Sequence, residues 1–78
     1  MEKEFKCTVN FLWDNESAVW IATSEDVPGL VLEDESLDAL QQRVEVAIPE
    51  LLALNHHPEN VVDYSFISRK NGRAFVYG

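Results

Sequence analysis

Eight carboxylates stand between Cys7 and Gln42 with no Lys or Arg among them: Asp14, Glu16, Glu25, Asp26, Glu33, Asp34, Glu35 and Asp38. Acids in that number can serve two kinds of chemistry. Converging from strand interiors, they hold divalent cations for metal-assisted hydrolysis. Spread over turns, they make a surface that repels phosphates and speeds encounter with basic proteins. The stretch that would form the first strand has Asn10 and Leu12 at its middle, and the acids fall in turns and at a helix start. A metal-dependent hydrolase would have to rest on residues such as Asp14 and Asp26, and the spacing does not favour it. Solubility alone also accounts for acids on exposed turns, and that plain reading stays open.

The remaining reactive side chains are few. His56 and His57 are adjacent, so their rings diverge, and only Glu59 and Asp63 lie near them in sequence. A zinc site wants three or four nitrogen or sulfur ligands, so these are expected to be solvated loop histidines. Cys7 has no neighbouring base and reads as a buried structural thiol. No glycine-rich loop is available to grip a phosphate, because the three glycines fall at two turns and the terminus. Arg69, Lys70 and Arg73 form a basic cluster. It could touch a phosphate, but in so acidic a chain it is better read as protection of an exposed edge strand. No catalytic residue, metal ligand or cofactor is expected.

The elements that position these groups can be read from the hydrophobic pattern. Phe5, Cys7, Val9, Phe11 and Trp13 alternate onto one face of a strand, with Lys6, Thr8, Asn10 and Leu12 on the other. Asp14 to Ser17 supply turn chemistry, and Ala18 to Thr23 form a second strand. A four-residue loop there pairs Trp13 with Ala18, Phe11 with Trp20 and Val9 with Ala22. Leu12, Val19 and Ile21 then share the outer face. That face is either a surface for a second copy or partner, or a mildly apolar sheet exposed to water, and a register slip would change its membership. Pro28-Gly29 is a type II turn pair that returns the chain through Leu30 to Leu32 as a third strand.

Ser36 is a good N-cap, and Asp38 suits the first turn of a helix. Leu37, Leu40, Val44, Ala47, Ile48, Leu51 and Leu52 follow at helical spacing, which predicts one amphipathic helix over 37–54 stopped near Asn55. Pro49 predicts either a kink near 45–49 or a break into two pieces. After the loop 56–60, Val61 to Lys70 is a strand. Asn71-Gly72 is a strong hairpin signal that pairs Ser68 with Phe75 and Phe66 with Tyr77. The expected fold is α+β, one small domain over residues 1–78 in the order β-β-β-α-β-β. It is an antiparallel meander with one crossover helix on one face, returning the chain parallel to a meander strand.

Seventy-eight residues bury a modest core, so help from a partner chain would suit this size. A lone cysteine cannot form an internal disulfide. Met1-Glu2-Lys3-Glu4 is followed by no apolar run suited to a signal or a membrane span, so a cytoplasmic protein is expected.

Phe11-Leu12-Trp13-Asp14, Val19-Trp20-Ile21-Ala22, Ser24 through Leu30 with its Asp26-Val27-Pro28-Gly29 corner, and Ser36-Leu37-Asp38-Ala39-Leu40 together resemble the HicB-type antitoxin domain. More closely, they look like a small uncharacterised prokaryotic sibling family of that domain. The likeness runs from about Lys6 to Leu54. It implies a partial ribonuclease H-like fold without nuclease activity, and a partner that is a small, basic, RNA-cleaving toxin. Many HicB-type proteins also carry a C-terminal DNA-binding segment. After Tyr77 this sequence offers none, so the resemblance does not extend to DNA binding. The expected function is a non-catalytic protein-binding module whose Glu33, Asp34, Glu35 and Asp38 meet a small basic partner. The alternative is a self-associating structural or regulatory domain without a toxin, burying Leu12, Val19 and Ile21 in a homodimer.

Overall fold

The computed structural model describes residues 2–77. Alternation of large apolar and polar residues makes Glu4–Asp14 the first and longest strand, β1. Its inner face sinks Cys7, Val9 and Phe11 into the core, while Lys6, Asn10 and Leu12 stay exposed. The second strand, β2 (Val19–Thr23), returns antiparallel with Trp13 opposite Trp20 and Phe11 opposite Ala22. This register differs by two residues from the expected one, which set Trp13 against Ala18 and Phe11 against Trp20. The strand runs on to Asp14, and the loop is Asn15 to Ala18. It is closed by the Ala18 N–H donating to the Asp14 carbonyl at 2.8 Å, with Ala18 at φ 55°. A shift of two keeps each side chain on its face, and it brings the Trp13 and Trp20 rings edge to face at 5.5 Å.

The corner after β2 turns at Pro28-Gly29, as expected. Gly29 takes φ +86° and the Leu30 N–H reaches the Val27 carbonyl at 3.2 Å. Strand β3 (Val31–Asp34) completes the meander, with Ala22 opposite Leu32 and Ile21 opposite Glu33. Helix α1 (Leu37–Leu54) then begins where the Ser36 hydroxyl accepts the Ala39 N–H at 3.2 Å. It buries Leu40, Val44, Ile48 and Leu52 against the sheet. Pro49 lies inside one unbroken helix, so the break into two pieces does not occur. Pro49 and Glu45, whose carbonyl would have received the missing N–H, are both exposed, and water can take that carbonyl.

The helix ends in a paired C-cap. The His56 N–H donates to the Ala53 carbonyl and the His57 N–H to the Leu52 carbonyl, with His56 at φ 57°. Strand β4 (Val61–Arg69) lies parallel to β1, from Glu4 opposite Val61 to Leu12 opposite Arg69. The sheet order is β3-β2-β1-β4, so β3 and β4 are its two edges. The α+β class, the meander and the parallel crossover are as expected.

The strand expected after Asn71-Gly72 is not formed. The chain is without regular structure from Lys70 to Tyr77, and residues 70–77 are all exposed. A two-residue hairpin turn of that kind needs φ > 0 at its centre, and neither Asn71 nor Gly72 has it. The molecule is 63 Å long and about 20 Å across. The eleven residues of β1 span about 37 Å. An extended arm over residues 71–77 adds about 24 Å. The arm therefore projects along the strand direction, beyond the end of the sheet.

Candidate partner-binding surface

The carboxylates singled out in the sequence divide into two groups by what they hold. Asp26 and Asp14 serve the backbone. The Asp26 Oδ2 accepts the Thr8 N–H at 2.8 Å, the Ser24 hydroxyl donates to the Thr8 carbonyl at 2.6 Å, and the Asp26 N–H donates back to Ser24 Oγ. The β1–β2 ladder stops at Asn10 and Thr23, so these side chains continue the pairing of β1 where no strand lies opposite. Asp14 Oδ1 accepts the Glu16 N–H and shapes the hairpin loop. Both carboxylates have structural duties.

Glu33, Asp34, Glu35 and Asp38 lie together where β3 runs into α1. Glu33, Glu35 and Asp38 are exposed; Asp34 is half-buried. Asp34 accepts the Ser36 N–H at 2.9 Å and lies 3.5 Å from the Arg43 guanidinium. The same guanidinium donates to the Glu33 carbonyl at 2.9 Å. Arg43 carries no local signal in the sequence, because its link to β3 depends on how the helix lies over the sheet. It clasps the free edge of β3 and screens part of the acidic turn. Beside it an apolar groove of 590 Å³ runs between β3 and α1, floored by Leu32, Ala39, Val46 and Ala47 and rimmed by Gln42, Arg43 and Glu50. The surface thus offers an unpaired strand edge, an apolar slot and three uncommitted carboxylates.

On the sheet's outer face Leu12 sits directly opposite Ile21, with Val19 opposite Asp14 in the next row but one. Leu12 is 50% exposed; Val19 and Ile21 are half-buried. Val31 and Ile67, both exposed, flank them through Thr23 and Asn10, and the sequence pattern alone does not single them out.

The other reactive groups are structurally occupied. Cys7 is 5% exposed, and burial first, then the charge of Asp26, pushes its thiol above the ordinary value. His57 packs edge-on against Phe5 and lies 3.1 Å from Glu59. Lys70 places its ammonium 4.4 Å from the centre of the Trp13 ring. Among the described residues, no group of three or more His, Cys, Asp or Glu side chains is arranged to hold a metal ion, and no helix is long and apolar enough to cross a membrane.

The crystal structure of a hypothetical protein from the extremely thermophilic bacterium Thermus thermophilus is similar to this chain. Sequence identity is 36% and the TM-score is 0.74, with 94% of this chain and all of that one covered. No curated protein matches. A family model matches residues 6–78. By that match the chain belongs to the family described as Domain of unknown function (DUF1902).

Proposed function

We propose that this chain is a non-catalytic protein-binding module, similar to the toxin-neutralising domain of a HicB-type antitoxin, and that it receives a small basic protein along β3 and the turn into α1. The observation that carries this reading is the juxtaposition on one side of the molecule of the free β3 edge, the apolar groove beside it and the exposed Glu33, Glu35 and Asp38. A strand edge supplies main-chain hydrogen bonds to an incoming extended segment, and the groove supplies area for an apolar anchor. The carboxylates steer and orient a cationic partner. Arg43 is the gate: a basic side chain entering the turn competes with it for Asp34 and the Glu33 carbonyl.

The test uses the product of a small basic reading frame adjacent to the gene, co-purified and then titrated by calorimetry at two salt concentrations. Combined Glu33→Lys, Glu35→Lys and Asp38→Lys substitution is expected to weaken binding tenfold or more, and added salt to weaken the wild-type complex. Affinity indifferent to both changes would refute the reading.

A further inference from the structure

The arm beyond β4 carries three large apolar residues into solvent: Phe75, Val76 and Tyr77 are 70%, 97% and 89% exposed. A run like this on a small domain marks a surface awaiting cover. The register of the unformed hairpin shows what would fit it. Had the chain reversed at Asn71-Gly72, Phe75 would have faced Ser68, Val76 would have faced Ile67 and Tyr77 would have faced Phe66. The edge of β4 that should receive those residues is vacant, because β4 is the last strand of the sheet. Its inner face is only partly covered, with Tyr64 exposed and Phe66 half-buried in a stack at 4.8 Å. Ile67 on the outer face is also exposed.

We infer that two copies of this chain exchange arms about a two-fold axis, with Asn71-Gly72 as the opened hinge where the regular pleat of β4 is broken, so that the pairing on either side of the hinge keeps the hairpin register. In that arrangement each arm lies antiparallel on the other copy's β4. Phe66 faces the partner's Tyr77, Ile67 faces the partner's Val76 and Ser68 faces the partner's Phe75. Each four-stranded sheet gains a fifth strand, and the vacant edge is filled. Both halves of this match come from the same chain, with apolar residues opposite one another on both faces, which selects a second copy over an unrelated protein. One pair is unfavourable. Lys70 faces the partner's Arg73, and like charges directly opposite cost stability. The Trp13 ring beneath Lys70 draws part of that charge aside.

Sedimentation equilibrium of the full chain is expected to give twice the 8.9 kDa monomer mass. The double variant Phe75→Asp/Tyr77→Asp is expected to raise the dissociation constant tenfold or more, and Ile21→Glu, on the outer face, to leave it unchanged. Oxidised Ser68→Cys/Phe75→Cys is expected to run at dimer mass on a non-reducing gel. If circular dichroism shows that variant unfolded, Ile67→Cys/Val76→Cys reads the same register from two side chains already exposed. Arg73→Glu is expected to tighten the dimer about threefold or more, by turning two repulsive pairs into attractive ones. A monomer in solution, a disulfide formed within one chain, a dimer lost with Ile21→Glu, or no tightening with Arg73→Glu would each overturn the arm exchange.

Discussion

Asp26 shows how a residue that looks chemical can be committed to the backbone. Its carboxylate takes the Thr8 N–H that β2 cannot reach, so Asp26→Ala should cost about 0.5–1.5 kcal/mol in urea denaturation, the net worth of one hydrogen bond whose donor water can reach. Asp26→Asn, which keeps an acceptor oxygen, should recover most of it. His56 closes the helix in a left-handed conformation that favours glycine. His56→Gly should therefore raise stability by about 0.5–1 kcal/mol, measured as an upward shift of the melting temperature. Cys7 gives a pH signature. The fold holds the neutral thiol and raises its pKa, mainly through burial, so the folded chain keeps its proton to higher pH than the unfolded chain. Stability is then full below about pH 9 and falls as pH climbs from there toward the folded-state pKa. Cys7→Ala should flatten that alkaline slope in denaturation curves compared between about pH 8 and 10.

At the scale of elements, what the sequence discloses depends on whether the signal is local. Ser36, Asp38 and the 3.6-residue spacing of Leu37 to Leu52 place α1 with its observed bounds, because capping and amphipathicity act within a few residues. Pro28-Gly29 announces its corner for the same reason. The β1–β2 register is not legible. It depends on Ala18 adopting φ 55°, which an alanine does not advertise, and on two tryptophans preferring each other across the ladder. The acidic turn is legible, but Arg43 and the groove beside it are not, since both arise only when α1 lies over β3. The Asn71-Gly72 signal misleads because neither residue takes the positive φ that its turn needs, and the chain runs on past the end of β4. Pro49 signals a kink or a break, yet the exposed side of an unbroken α1 absorbs it. Its cost should be recoverable: Pro49→Ala should stabilise the domain by about 1–3 kcal/mol. In a thermal melt of a domain this size, that is a rise of roughly 4–24 °C.

The whole molecule is a sheet with two unlike margins. At one, β3 is short, acid-flanked and clasped by Arg43; at the other, β4 is long, runs into a basic arm and presents aromatic residues. The pairing that joins the second margin to the rest has a temporal consequence. The Lys3 N–H donates to the Asn60 side chain and the Lys3 carbonyl accepts the Val61 N–H, groups some 57 residues apart in the chain. During synthesis at about 5–20 residues per second, β1 emerges first, yet one flank stays bare for several seconds until β4 follows. Through that interval Val9 and Phe11 would line a half-finished ladder open to any extended segment nearby. A chain that ended before Val61 would keep that flank of β1 bare for good.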